Sequence, residues 1–110
     1  MKYLGIVAFT LLTLVIASPQ QSFAADNPPV ALKIDNFSFS PQTITVPAGT
    51  QITWTNQDDI PHTVVSDDKT TFKSRALDTD EKFTFTFTKP GSYNYFCSIH
   101  PKMTAKVIVE

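Results

Sequence analysis

Residues 83–88 read Phe83-Thr84-Phe85-Thr86-Phe87-Thr88, a strict alternation of phenylalanine and threonine. Side chains of a β-strand point alternately to its two faces, so the phenylalanines share one face and the threonines the other. The same period of two recurs at 43–46 and 51–54, on either side of the turn signal Pro47-Ala48-Gly49. These runs predict strands that each bury one face.

Further strands are predicted around this run. Lys89-Pro90-Gly91 separates it from a strand at 93–97, and another strand closes the chain at 104–109. About seven short strands at this spacing predict an all-β fold, a Greek-key two-sheet β-sandwich. Only residues 70–77 favour a turn or two of helix. The apolar residues on the inward faces form the predicted core: Phe37, Phe39, Ile44, Val46, Ile52, Trp54, Val64, Phe83, Phe85, Phe87, Tyr93, Tyr95, Val107 and Val109.

Length and composition exclude several classes of protein. The chain has 110 residues, which supports one domain, and a formal net charge of -1. With 17% charged residues and no basic run, it lacks the electrostatic footprint of a nucleic-acid-binding protein. Its single cysteine cannot form a disulfide within the chain.

The N-terminal segment predicts a secretory signal peptide at residues 1–24. Lys2 provides the charged start, and an uncharged, largely apolar run follows from Leu4 to Ala17. The alternative is a retained membrane anchor, but this run is shorter than the roughly 20 residues of a transmembrane helix. Cleavage is predicted after Ala24, with Ala25 as the rival position. Residues 25–110 then form a single domain, exported to the periplasm, monomeric and without a membrane span.

Four possible metal ligands stand out: His62, Cys97, His100 and Met103. They comprise the only cysteine, both histidines and the only methionine beyond the predicted leader. Three of them lie in one loop between two predicted strands, with the spacing C-x-x-H-x-x-M. His62 begins another strand, and a sandwich can bring a strand start and a loop together at one end. An unpaired thiol in an oxidising compartment also needs burial or a metal to protect it.

The residue types favour copper. One thiolate and two imidazoles form a trigonal set, to which a thioether adds a weak, soft fourth ligand. Zinc prefers closed sites of cysteine, histidine and carboxylate, and iron–sulfur clusters need several cysteines. A dinuclear copper centre needs a second bridging cysteine. Taken singly, each residue has an ordinary alternative: a packed methionine, a surface histidine or an inert buried cysteine.

The sequence resembles the cupredoxins, the blue-copper proteins, and is most similar to amicyanin and plastocyanin-like members. The short C-x-x-H-x-x-M loop is the amicyanin spacing. The matching motifs cover nearly all of residues 25–110: Phe37–Pro41, Val46–Thr50, Ile52–Asn56, Pro61-His62, Pro90–Tyr93, Tyr95–Cys97, His100-Pro101 and Met103.

The resemblance implies a cupredoxin-like sandwich with one copper per chain that shuttles single electrons between redox partners. It implies Cys97 as the thiolate ligand, His62 as the buried imidazole, His100 as the imidazole that reaches the surface, and Met103 as the long axial ligand. It also suggests a dehydrogenase and a cytochrome as partners. We expect Thr63, where amicyanins commonly carry asparagine, to tie the two ligand loops together.

Three residues depart from the family pattern. Ile99 replaces a frequent proline before His100, Ala105 stands where glycine is common, and Lys102 stands where relatives often carry phenylalanine or tryptophan. None of these changes removes a ligand. Lys102 adds a positive charge beside the apolar docking patch that the resemblance implies, so the partners of amicyanin do not transfer directly.

Two other functions share these residues. A periplasmic copper-binding or copper-tolerance protein would use the same ligands without relaying electrons. An enzyme would need Cys97 as nucleophile and a free histidine as base, but both histidines are taken as ligands, so no catalytic residue is predicted. Four acidic residues flank the strand at His62, and they either steer a cationic partner or simply solvate two loops: Asp58, Asp59, Asp67 and Asp68.

Overall fold

The computed structural model describes residues 10, 12–15 and 27–110, and every structural statement below refers to these. The predicted signal peptide lies outside them except at residues 10 and 12–15, as does its predicted cleavage position. Across the described ranges, no helix has the length and apolar character that crossing a membrane requires.

Eight strands form two four-stranded sheets, which confirms the predicted all-β sandwich. One sheet has the order β2-β1-β4-β6 and the other the order β3-β8-β7-β5. The sequence predicts about seven strands, and the structure has eight. In chain order the strands are β1 (Val30–Asp35), β2 (Ser38–Ser40), β3 (Thr43–Val46), β4 (Thr50–Asn56), β5 (Val65–Ser66), β6 (Lys82–Phe87), β7 (Gly91–Phe96) and β8 (Thr104–Val109).

The alternating run at 83–88 behaves as its pattern predicts. β6 pairs antiparallel with β4, and Phe83 lies opposite Trp54 in the register. On the solvent side of the same pair, the hydroxyl oxygens of Thr53 and Thr84 are 2.8 Å apart. The phenylalanine face therefore packs inward while the threonine face meets water.

The predicted turn between β3 and β4 is also present. The Thr50 N–H donates to the Pro47 carbonyl over 3.2 Å, and Gly49 lies between them with φ 94°. A side chain at this positive φ would be strained, so glycine is the residue that fits. The turn leads the chain from one sheet to the other.

The predicted helical tendency of residues 70–77 is wrong. The segment is mostly extended and runs beside residues 62–66, with isolated bridges from Leu77 to His62 and from Lys73 to Val65. His62, predicted to begin a strand, instead precedes β5, which begins at Val65. Backbone hydrogen bonds join the two segments, including Leu77 N–H to the His62 carbonyl at 2.7 Å. Burial of Phe72 and Leu77 in the core requires this path, so tertiary packing overrides a weak local preference.

The core is aromatic at its centre. Trp54 and Tyr95 are almost fully buried, and Trp54 packs against the rings of Phe72 and Phe87. Five residues predicted to lie in the core are not fully buried, and several buried residues were not predicted. Phe37 is 53% exposed because it lies in the β1–β2 turn, not in a strand. Ile44, Phe83, Phe85 and Tyr93 are only partly buried, and the sequence analysis omitted the buried residues Leu32, Ile34, Val65, Phe72, Leu77, Met103 and Ala105.

A buried hydrogen bond links the two sheets. The Trp54 indole N–H donates to the Tyr95 hydroxyl over 3.1 Å. Burial raises the pKa of Tyr95 to about 12, although the Trp54 bond partly opposes the rise. Tyr95 therefore stays neutral and accepts the indole N–H at any pH at which the domain is ordinarily studied.

We predict that Tyr95→Phe lowers the free energy of unfolding of the metal-free protein by about 1–3 kcal/mol, because the buried indole N–H loses its acceptor. The measurement is chemical denaturation followed by Trp54 fluorescence. Tyr93→Phe is the matched control, since the Tyr93 hydroxyl donates to the Lys89 carbonyl in an exposed position. Equal losses in the two variants would contradict the prediction.

Candidate metal centre

Three of the four predicted ligands meet at one end of the sandwich. The ligand atoms of His62, Cys97 and His100 all lie within 4.8 Å of one another. Cys97 Sγ is 3.7 Å from His62 Nδ1 and 3.8 Å from His100 Nδ1. The structure thus brings a thiol and two imidazoles from two separate loops to a single point.

The loop between β7 and β8 positions two of these residues and Met103. The Cys97 N–H donates to the Met103 carbonyl over 3.0 Å, and the Met103 N–H donates to the His100 carbonyl over 2.8 Å. These bonds close the loop back on itself as β8 begins. Cys97 and Met103 are buried, whereas His100 is partly exposed. The exposure of His100 agrees with the surface position that the resemblance implies.

His62 is fully buried and held from both sides. Its backbone pairs with Leu77, and its Nε2 lies 2.7 Å from an Asp58 carboxylate oxygen. A carboxylate only accepts hydrogen bonds, so in the neutral imidazole the hydrogen is on Nε2 and the lone pair is on Nδ1. Nδ1 is the nitrogen that faces Cys97. The ring is therefore set in the tautomer that a metal needs.

Thr63 ties the two ligand loops together, which confirms its expected position. Its hydroxyl accepts the Ser98 N–H over 2.7 Å and lies 2.8 Å from the Ser98 hydroxyl. Its own N–H donates to Cys97 Sγ over 3.3 Å. The loop with His62 is thus joined to the loop with Cys97 by bonds that need no metal.

These bonds also change the acidity of Cys97. Burial raises the pKa of the thiol, but hydrogen bonds from the Thr63 N–H, and from the imidazoles of His62 and His100 when the Nδ1 atoms that face the sulfur carry a hydrogen, bring it down to about 6 from an ordinary value of 9.0. At neutral pH the thiolate therefore predominates. The thiolate is the form of cysteine that binds a metal.

Asp58 contributes to the site in a way that the sequence does not reveal. Its carboxylate accepts the N–H groups of Asn36 and Phe37 as well as the hydrogen of His62. Burial raises the pKa of this carboxyl, but the bonds from Phe37, Asn36 and His62 outweigh it and lower the pKa overall. Asp58 thus faces the site. Asp59, Asp67 and Asp68 are exposed, which agrees with the alternative that these acidic residues simply solvate two loops. No spacing motif marks this role, because it depends on where the β1–β2 turn lies.

The donor set fits copper. A thiolate and two imidazoles are soft or borderline ligands, and the buried Met103 follows in the same loop. The family comparison points the same way, since the Cupredoxin-like domain model matches residues 6–109. The chain belongs to the cupredoxin-like domain family. Its cofactor is one copper ion per chain.

This cupredoxin has relatives of several kinds. It is 33% identical over 105 residues to amicyanin of Paracoccus versutus, covering 88% of this chain and 78% of the relative. It is 37% identical over 84 residues to chloroplastic plastocyanin of Tetradesmus obliquus, covering 66% of this chain and 58% of the relative. Among solved structures, a copper-containing nitrite reductase of Thermus scotoductus superposes with a TM-score of 0.70 at 33% identity, over 76% of this chain and 22% of that one.

We predict that the Cys97 thiolate of the metal-free protein forms at a pH near 6, because hydrogen bonds stabilise the negative charge. Its ultraviolet absorbance should appear as the pH rises through this value. Since folding lowers the pKa, the thiolate stabilises the folded protein above pH 9.0, and this contribution is lost as the pH falls through about 6. Cys97→Ser is the control, because a protein without the thiol should show no thiolate absorbance at any pH. A midpoint near 9.0 in the folded protein would disprove the prediction.

We also predict that Thr63→Val destabilises the metal-free protein by about 1–2 kcal/mol and speeds copper release, because the junction between the ligand loops loses its hydroxyl. Chemical denaturation and capture of copper by a chelator measure the two effects. Thr84→Val makes the same hydroxyl-to-methyl change on the exposed face and should shift stability by less than about 0.5 kcal/mol. Equal effects at both positions would show that Thr63 has no special role.

Proposed function

We propose that this cupredoxin carries single electrons between redox partners, with His62, Cys97, His100 and Met103 as the copper ligands. The observation that carries the proposal is the arrangement of His62, Cys97 and His100, whose donor atoms lie within 4.8 Å of one another. A site held in place by its surroundings changes little when its charge changes. Small rearrangement between oxidation states is what rapid electron transfer requires.

Each proposed ligand has a distinct task. Bound copper supplies a one-electron couple between Cu(II) and Cu(I). Cys97 provides the thiolate at neutral pH, and His62 presents Nδ1 from the fully buried side. His100 is partly exposed and gives the site its contact with the surface. Met103, buried in the same loop, would supply a weak thioether ligand that tunes the potential of bound copper.

The surface around His100 supports contact with a protein partner. Ile99 is 45% exposed beside it, and Phe37 is 53% exposed in the neighbouring turn. Lys102, in the same loop, adds a positive charge. Such a surface favours a partner with an apolar patch and acidic residues at its edge. A dehydrogenase as electron donor and a cytochrome as acceptor remain the partner classes that the likeness to amicyanin suggests.

The same likeness suggests the setting in which the protein works. We propose that residues 1–24 direct export and are removed, and that residues 25–110 act in the periplasm as a single monomeric domain. The unpaired Cys97 supports this, since full burial and metal binding would protect a thiol in an oxidising compartment. The N-terminal residue of the exported protein, read by mass spectrometry, tests the cleavage position after Ala24.

An enzymatic role has less support. Cys97 is fully buried and its sulfur approaches both imidazoles, so a substrate could not reach it as a nucleophile. The copper-containing nitrite reductase is matched over only 22% of its chain. The likeness therefore reaches one domain-sized part of that enzyme. We propose that this protein is a carrier and catalyses no reaction of its own.

We predict that residues 25–110 bind one copper(II) per chain and develop an intense visible absorption that ascorbate bleaches. Titration followed by absorption spectroscopy is the measurement. Cys97→Ser should abolish the colour because the thiolate is lost. Met103→Leu is the matched variant in the same loop, and it should keep the colour and raise the reduction potential, since a weak donor is lost. A coloured Cys97→Ser protein would refute the ligand assignment.

A second measurement separates the carrier from a copper-handling protein. A carrier exchanges electrons rapidly between its oxidised and reduced forms and retains copper in both. NMR line broadening in mixtures of the two forms gives the self-exchange rate. Slow exchange, together with rapid loss of copper(I) to an acceptor ligand, would favour copper handling or copper tolerance instead.

A further inference from the structure

The turn between β1 and β2 has an unusual backbone. Asp35 pairs with Ser38, so the turn consists of two residues, Asn36 and Phe37. Both have positive φ, 53° and 58°. Asparagine tolerates this left-handed conformation, but it is unfavourable for a bulky aromatic residue such as Phe37. A strained residue of this kind persists only where the surroundings hold it in place.

The Asp58 carboxylate holds this turn. Oδ1 accepts the Asn36 N–H over 2.6 Å, and Oδ2 accepts the Phe37 N–H over 2.9 Å. The adjacent Gln57 N–H donates to the Ile34 carbonyl over 2.7 Å, at the end of β1. The loop that follows β4 is therefore fastened to the turn at several points. The Asp58 carboxylate thus accepts both backbone N–H groups of the two turn residues, Asn36 and Phe37.

The strained conformation places the Phe37 ring against both candidate imidazole ligands. Its centroid is 5.6 Å from that of His62 and 5.2 Å from that of His100, and both interplanar angles are 87°. These are edge-to-face contacts of the kind that aromatic rings favour. With 53% of its surface exposed, Phe37 lies between solvent and the two rings. It forms a cover over this side of the site.

The same carboxylate also binds the buried ligand. The Asp58 oxygen that accepts the Phe37 N–H lies 2.7 Å from His62 Nε2. One oxygen atom thus orients a proposed ligand and holds its aromatic cover. The Asp58 side chain is 11% exposed, and the His62 side chain that it contacts is fully buried.

We propose that Asp58 is a positioning residue for the copper site, which fixes the ring of His62 and holds Phe37 over His62 and His100. The inference rests on the proposed ligand assignment. It goes further by making one side chain responsible for both the orientation of the buried imidazole and the closure of the surface above it. Loss of Asp58 should then release the ring and open the cover together.

Asp58→Asn tests this with little change in size. An amide keeps one acceptor oxygen and replaces the other with a donor nitrogen, so it cannot accept from Asn36, Phe37 and His62 together. We expect copper affinity, measured by competition with a chelator, to fall about 10–100-fold. Asp59→Asn is the matched control, because it removes the same charge from the next, exposed residue. It should leave the affinity unchanged within about 2-fold. Equal affinities in the two variants would overturn the proposal.

Phe37→Ala removes the aromatic ring over the two imidazoles and leaves the contact between Asp58 and His62 in place. We expect copper to be released faster to the chelator, while His62 keeps the hydrogen on Nε2. If Asp58 acts on release partly through Phe37, the effects of Asp58→Asn and Phe37→Ala on the release rate are not additive in the double variant. Strict additivity would show that the two residues act independently and would refute the coupling.

NMR of the metal-free protein gives a readout that does not depend on copper. The wild type should show a slowly exchanging His62 Nε2 hydrogen and nuclear Overhauser contacts from the Phe37 ring to both imidazoles. Their absence would overturn the proposal even if Asp58→Asn fails to fold. A protein that shows these signals but binds no copper would refute the proposed function and leave the positioning role intact.

Discussion

The junction at Thr63 is the contact on which the metal centre depends. Its hydroxyl accepts the Ser98 N–H, and its own N–H donates to the Cys97 sulfur. These bonds join loops that lie 34 to 35 residues apart in sequence. Without them, Cys97 and His62 would be set by two independent loop ends. These bonds form between protein groups, so they hold the two ligand loops together independently of any bond to a metal.

The two sheets provide the base that keeps this junction rigid. Trp54 and Tyr95 are joined by a buried hydrogen bond across the core, and aromatic rings fill the space around them. β7 leads directly into Cys97, and β8 begins immediately after Met103. Both ends of the ligand loop are thus anchored in the same sheet. A domain with a single cysteine has no disulfide to stiffen it, so packing and register carry this task.

Asp58 and Phe37 connect the metal centre to the turn between β1 and β2. The carboxylate fastens a strained turn whose aromatic ring covers the two imidazoles. Lys102 lies in the adjoining loop and changes the charge at the same end of the molecule. Membership of the cupredoxin-like family accounts for the fold and the copper.

The sequence by itself determined most of the strands, most of the aromatic core and the candidate donors. A period of two records which side chains face the core, and His62, Cys97 and His100 belong to residue types that are scarce in this chain. Only the tertiary structure decided that residues 70–77 are extended, that Phe37 leaves the core and that Asp58 turns toward His62. Each depends on contacts between segments distant in sequence, such as the bonds from the Asn36 and Phe37 N–H groups to Asp58. Local sequence patterns do not predict such contacts.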